Sequence, residues 1–265
     1  MVTTFNSQRG KSDSPWLVIP APNPQAPLRL FCFPYAGGSA QIYRTWANSL
    51  PVTVEVCAVE IPGRGRRLRE QAHDNLLALV ADACKALRPY MDKPFAFYGH
   101  SMGALISFEF ARQLRREGLP LPAQIFMSGR RAPQIPDNPL TYNLAEPEFI
   151  AELRRLNGTP QEVLEHPELL QLMLPMLRAD FSVCQTYTHT PEPPLKCGFR
   201  VYGGIDDVDV KREHLEAWSA HTSSTFAVQM FSGDHFFLNT STDYLKALSQ
   251  ELHRLVGTII LKTTA

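Results

Sequence analysis

The sequence has 265 residues with 26 Lys+Arg against 26 Asp+Glu, so its formal net charge is zero, and 44% of it is hydrophobic against 20% charged. That balance belongs to a chain that buries a core and excludes a disordered or collagen-like one, and the length suits one large α/β domain or two small ones. There is no basic excess to neutralise phosphates, which argues against nucleic acid as the principal partner.

Along the chain, Met1 to Ser12 is polar and lacks the apolar h-region of a secretory signal. No run of about 18 or more apolar residues follows, so a cytoplasmic protein without a membrane span is expected. Residues 13–27 hold five prolines and read as an extended, irregular lead-in, with regular structure starting just after it. Six short apolar, β-branched or aromatic runs then read as strands: Leu28 to Phe33, Val52 to Val59, Phe95 to Tyr98, Gln124 to Met127, Phe199 to Tyr202 and Phe226 to Phe231. Between them, Asn75 to Tyr90 places Leu76, Leu79, Val80, Ala83, Cys84 and Leu87 on one helical face. Met102 to Glu117 does the same with Leu105, Ile106, Phe110 and Leu114, and stops at Gly118, a residue type favoured just past a helix end. Strands alternating with helices predict an α/β fold with a mainly parallel sheet covered on both faces.

The alternation breaks once, between Ser128 and Lys196. This stretch opens with the prolines Pro133, Pro136 and Pro139. It continues with helical patterns over Glu146 to Asn157, closed by Gly158, and over Leu169 to Tyr187, where Pro175 predicts a kink. Thr159-Pro160-Gln161-Glu162 has capping-box spacing with proline at the first helical position. A simple crossover needs far fewer residues, so 129–196 reads as a helical insertion within a single domain spanning 1–265. The five cysteines, Cys32, Cys57, Cys84, Cys184 and Cys197, are odd in number, widely spaced and without a C-x-x-C pair, which supports neither a disulfide framework nor a zinc site.

The chemistry centres on Gly99-His100-Ser101-Met102-Gly103, a G-x-S-x-G. The pentapeptide alone is weak, because average glycine and serine usage produces it by chance in roughly one chain in ten of this length. Its position is stronger: it follows a predicted strand and opens a predicted helix, the context of a nucleophile elbow. A serine needs a base and the base an orienting acid, in the chain order Ser, Asp or Glu, His. His235, in Gly233-Asp234-His235-Phe236, follows the last predicted strand and is the best placed of the eight histidines. His100 lies inside the elbow and must point away from the serine's direction, as a packed or hydrogen-bonded spacer. After the strand ending at Tyr202, Asp206, Asp207 and Asp209 all compete for the acid; Asp207 is preferred with Asp206 a close second. Asp234 reads as a loop cap. Oxyanion donors are expected from the N–H of Met102 and from the loop Phe33 to Ser39, where Ala36 is the choice. That loop's paired glycines lack the Lys-Ser/Thr of a P-loop and the third glycine of a dinucleotide fingerprint.

Taken together, Phe33-Pro-Tyr-Ala-Gly-Gly, Ile61-Pro-Gly-Arg-Gly-Arg, Phe97-Tyr-Gly-His-Ser-Met-Gly, Leu215-Glu-Ala-Trp and Gly233-Asp-His-Phe-Phe-Leu resemble the type II thioesterases, the stand-alone α/β-hydrolases that accompany polyketide and nonribosomal peptide synthetases. The resemblance implies an α/β-hydrolase fold with a helical lid. It also implies hydrolysis of acyl or aminoacyl groups from the phosphopantetheine arm of an acyl or peptidyl carrier protein. A vertebrate member of the same family releases medium-chain fatty acids from fatty acid synthase, and a small-ester hydrolase on the same fold is a further alternative. The match makes Ser101 the nucleophile, His235 the base, and Met102 and Ala36 the oxyanion donors. Counting back about eleven residues from Trp218 of the Glu-Ala-Trp motif favours Asp207 as the acid, although Val208 stands where many members have proline. No metal, nucleotide or other cofactor is implied, because the phosphopantetheine belongs to the carrier, and a monomer is expected. Arg64, Arg66, Arg67 and Arg69 form a local basic cluster that could steer an acidic carrier or be a solvated loop bonding backbone carbonyls.

Overall fold

Strands buried on both faces require helices on both sides, and the computed structural model of the chain, which describes residues 14–137 and 139–263, has that layering. The elements run β1 (Leu17–Val18), β2 (Leu28–Phe33), β3 (Val54–Val59), α1 (Leu76–Leu87), β4 (Phe95–His100), α2 (Met102–Arg116), β5 (Gln124–Ser128), α3 (Glu146–Leu156), α4 (Gln161–Glu165), α5 (Pro167–Gln185), β6 (Gly198–Gly204), α6 (Arg212–Glu216), β7 (Phe226–Phe231), α7 (Phe237–Thr240) and α8 (Tyr244–Thr263). They build a seven-stranded sheet in the order β1-β3-β2-β4-β5-β6-β7. β1 pairs antiparallel with β3, and every other pairing is parallel.

The period of two in the strands divides the core. Phe31 and Phe33 of β2 face one cluster, shared with α1 and α2, while Leu28, Leu30 and Cys32 face a second, shared with α8. Phe97 of β4 sits in the first cluster with its ring 5.4 Å from Phe33 and 5.1 Å from Phe110. Truncating such a fully buried ring to alanine costs about 3–5 kcal/mol.

Several local expectations shift. The lead-in is not wholly irregular: Leu17 and Val18 pair with Val59 and Ala58, because the stretch between Pro15 and Pro20 keeps its N–H groups and fits an edge position. Val52 is 80% exposed in a turn, so β3 starts at Val54. α1 begins where Asn75 caps the Ala78 N–H at 3.1 Å, and α2 ends with Gly118 at φ 66°. Asn157, at φ 55°, closes α3 in place of Gly158. The Thr159–Glu162 capping box does not form; Pro160 takes the N-cap position, and its carbonyl accepts from Val163 and Leu164. α5 runs on through Pro175. α8 was not foreseen, yet its buried Tyr244, Leu248, Leu252 and Val256 recur at helical spacing and fill the second face.

Between β5 and β6 the described chain has no named strand. α3, α4 and α5 pack there around their own cluster of Phe149, Leu153, Val163, Leu170, Leu174, Met176 and Leu177. Its base is pinned to α2. Glu109, 0% exposed, accepts from Arg112 and from the Tyr187 hydroxyl, and Arg112, Arg115 and Arg116 converge on Glu192. Burial raises the cost of charging Glu192, but three guanidinium partners outweigh it and bring its pKa down to about 2.

The arginine cluster is not one surface patch. Arg64 and Arg67 are buried, the first forked onto Asp180 and the second bonded to Glu70 and the Glu60 carbonyl while stacking on Trp16. Arg66 and Arg69 face solvent, Arg66 donating to the Leu17 carbonyl at 2.8 Å. No helix among the described residues is long and apolar enough to cross a membrane.

Candidate active site

Strand order reverses between β2 and β4, which are neighbours although β3 lies between them in the chain. In open parallel sheets the crevice outside the carboxyl ends at such a point is where ligands bind. The loop after β2 and the turn after β4 both open there. Ser101 joins β4 to α2 at φ 51° and ψ −114°, a conformation costing about 1–3 kcal/mol for a residue with a Cβ. The surrounding structure enforces it. Ser101 N–H donates to the Ser128 carbonyl at 2.7 Å. A Cβ on Gly99 would meet the Gly103 carbonyl oxygen at 2.0 Å, and one on Gly103 would meet the Phe33 carbonyl oxygen at 2.1 Å. Only glycine fits on either side of the serine, which is the physical content of the G-x-S-x-G spacing.

β6 and β7 pair in register to their last residues, Gly204 opposite Phe231, so the loops that follow lie side by side. His235 Nδ1 stands 2.7 Å from Asp207 Oδ2, and the other oxygen of Asp207 accepts the N–H groups of Asp209 and Val210, each at 2.9 Å. Asp207 is 2% exposed. Burial disfavours its charge, but the hydrogen bond and charge of His235 and the two backbone donors prevail, holding the carboxyl below its ordinary range.

The competing acids have other work. Asp206 is exposed and exchanges hydrogen bonds with Gly233, its N–H to the Gly233 carbonyl at 3.0 Å and its Oδ2 from the Gly233 N–H at 3.2 Å, fastening the two loops together. Asp209 receives Arg155. Asp234 caps the Phe236 N–H at 2.8 Å, as expected of a loop cap.

His100 is fully buried with Nδ1 3.0 Å from the Ser128 hydroxyl, the spacer role expected of it. Its ring also backs His235, 5.0 Å away between centroids, and Phe236 flanks His235 at 5.1 Å. Burial, followed by the nearness of His235, drives the His100 pKa well below its ordinary value, so this second imidazole stays neutral beside the first.

Ser101, His235 and Ala36 all line one cavity of ≈ 160 Å³. Among the described residues no hydrogen bond joins the Ser101 hydroxyl to His235, although both side chains line the cavity. Met102 opens α2 and is fully buried, its N–H among the first-turn donors that have no partner a turn earlier. The far wall comes from the helical segment: Leu153, Leu156, Leu177 and Phe181 supply apolar surface, and Arg155, held by Glu152 and Asp209, supplies charge. Sequence reasoning missed Arg155, Tyr35 and Phe236. Membership of the Phe33-Pro-Tyr-Ala-Gly-Gly and Gly233-Asp-His-Phe-Phe-Leu motifs was the only signal for the last two, and Arg155 had none.

The thioesterase-domain family matches residues 28–255. Over 241 residues the chain is 46% identical to linear gramicidin dehydrogenase LgrE of Brevibacillus parabrevis, covering 89% of this chain and 92% of that one. Over 239 residues it is 46% identical to gramicidin S biosynthesis protein GrsT of Aneurinibacillus migulanus, covering 90% and 92%. The solved structure of the type II thioesterase BorB from the borrelidin biosynthetic cluster superposes with a TM-score of 0.80 at 34% identity, over 89% of this chain and 97% of that one. A mostly parallel sheet with a serine elbow at its switch point, matched along nearly the whole chain, therefore places this protein in the thioesterase family, among the type II α/β-hydrolases that act on thioesters.

Proposed function

We propose that Ser101, His235 and Asp207 form a catalytic triad that removes acyl or aminoacyl groups from the phosphopantetheine arm of an acyl or peptidyl carrier protein. The observation that carries this reading is the 2.7 Å contact of the buried Asp207 with His235 Nδ1, on the rim of the cavity that Ser101 enters from a strained turn. Asp207 fixes the tautomer that leaves His235 Nε2 free to accept a proton. Ser101 Oγ then attacks the thioester carbonyl carbon as its proton passes to His235. The tetrahedral oxyanion is met by the N–H groups of Met102 and Ala36. Collapse breaks the C–S bond, and the His235 proton leaves on the pantetheine thiol. Water, deprotonated by His235, attacks the acyl-serine, and the proton returns to Ser101 as the acid departs.

The choice of Ala36 is supported by how its neighbours are spent: Gly37 N–H donates to Asp180 and Gly38 N–H to the Tyr35 carbonyl. The dehydrogenase in the name of LgrE does not carry over, because this loop has no third glycine and its Gly37 N–H is already bonded. Residues 129–196 act as the lid that shapes the acyl site, within a single domain. All the proposed groups come from one chain, which suits a monomer, and five free cysteines suit the reducing cytoplasm.

The test offers the enzyme one acyl group as a carrier thioester and as a nitrophenyl ester. A kcat/KM at least about tenfold higher on the carrier is expected, a differential transition-state binding of some 1.4 kcal/mol. Equal values would point to a small-ester hydrolase. Ser101→Ala should lose at least about 10³-fold in kcat.

A further inference from the structure

Asp180 lies in α5 and is 1% exposed. Its carboxylate joins three parts of the chain. Arg64, from the loop after β3 and 3% exposed, forks onto Oδ1 at 2.6 Å and Oδ2 at 2.7 Å. Gly37, from the loop after β2, donates its N–H to the same Oδ2 at 2.7 Å. Arg64 also reaches the Gly38 carbonyl at 3.2 Å. Leu177, nearly one turn before Asp180, sits so close to Gly37 that a Cβ there would meet Leu177 Cδ2 at 2.8 Å. A buried ion pair is a poor way to gain stability, since a hydrophobic pair of similar volume does as well or better. What this pair does that a hydrophobic one could not is accept a hydrogen bond from Gly37.

Gly37 is the third residue of a turn closed by Gly38 N–H on the Tyr35 carbonyl at 2.9 Å, and its φ of 78° is the value a type II turn demands there. Fixing Gly37 N–H fixes the plane of the Ala36–Gly37 peptide, one bond on from the Ala36 N–H. We propose that Asp180 and Arg64 are positioning residues for the oxyanion hole, coupling α5 of the helical segment to the direction of the Ala36 donor. The proposal rests on the reading above that Ala36 is such a donor. Because Leu177 and Phe181 of the same helix line the cavity, an acyl chain that shifts α5 also shifts the donor, so cavity occupancy is felt in turnover as well as in binding.

Two double variants separate this role from packing. R64M/D180L removes the ion pair as a unit, leaving no buried charge unpaired, and takes the acceptor from Gly37. R64M/D180N returns a neutral acceptor. With a carrier-bound acyl thioester, R64M/D180L is expected to lose about 10- to 100-fold in kcat with KM within about threefold. Its affinity for an acyl trifluoromethyl ketone, whose hemiketal oxyanion uses the same donor, should fall by the same factor, and R64M/D180N should recover most of both losses. Unchanged kcat and ketone affinity in R64M/D180L, or a loss that R64M/D180N fails to recover, overturns the proposal. Should R64M/D180L not fold, Arg64→Lys carries the test: about a three- to tenfold loss of kcat is expected from the broken fork, and wild-type kcat and ketone affinity overturn it. Ser101→Ala keeps the two readings apart. An active Ser101→Ala defeats the triad itself, whereas an inactive one beside a wild-type-like R64M/D180L defeats only the positioning role.

Discussion

The carboxyl edge of the sheet and the helical segment between β5 and β6 line the same cavity, yet they hold their residues by different means. At the edge, backbone contacts do the work: Gly99 and Gly103 admit no side chain, Ser101 is forced to a positive φ, and Asp207 is buried with every oxygen bonded. In the segment, side chains do the work: a small apolar cluster, the Arg155 ion pairs, and two charge ties to the body at Arg112/Glu192 and Arg64/Asp180. Backbone contacts have no slack, and side-chain contacts can repack. Changes at the edge should therefore act on the chemistry or the fold outright, and changes in the segment, the Asp180 bond to Gly37 apart, on which acyl group is accepted.

The largest effect expected is at Asp207, the proposed acid. Asp207→Asn should cost about 10³- to 10⁴-fold in kcat by favouring the wrong tautomer of His235, while Asp206→Asn, two loops fastened a little less well, stays within about threefold. Steady-state kinetics on one thioester checks both, and an equal loss in the two variants would erase the distinction drawn between them. Next comes Gly103→Ala, whose methyl meets a backbone oxygen that cannot move aside; a loss of about 3 kcal/mol or more is expected, read as a lower urea midpoint or as insoluble protein.

A smaller effect is the pH dependence contributed by His100. Its folded pKa is depressed by burial, so below the unfolded value of about 6.5 the unfolded chain takes up a proton that the folded one refuses. Its share of stability is thus complete above that pH and declines as pH falls, by up to about 1.4 kcal/mol per pH unit, until the folded imidazole itself titrates. His100→Gln should reduce the slope of unfolding free energy against pH by about one proton; an unchanged slope between pH 6.5 and 5 would contradict the assignment. The smallest effect is in the segment: Leu153→Ala should change kcat/KM by less than about tenfold on any one substrate while shifting preference toward bulkier acyl groups, checked with carrier-bound acyl chains of graded length. A uniform loss on every chain would mean that Leu153 serves the chemistry rather than the choice of acyl group and blur the contrast with the edge.

Most strands of the sheet were legible because period and turn chemistry act over a few residues, while their order was not among the expectations. Leu76 to Leu87 declared its buried face, and the strand–serine–helix context made Ser101 stand out from a common pentapeptide. The misses have equally local causes. Thr159 to Glu162 had capping-box spacing, but Pro160 took the cap position; α8 had its period and went unread; the arginines at 64–69 looked like a patch because sequence shows charge without showing what it faces.

By itself the sequence determined a parallel α/β sheet, a serine on a turn that only glycines can flank, and a histidine after the last strand, since each follows from steric rules between near neighbours. It also carried the family resemblance that the comparisons establish. Tertiary structure alone decided that Asp207 and not Asp206 meets His235, 28 positions away, that Arg64 turns inward to Asp180 across 116, and that the helical segment closes a cavity over Ser101. Adjacent aspartates differ in nothing local; which one points inward is set by where two loops end when β6 and β7 pair, a long-range fact that no short window of residues contains.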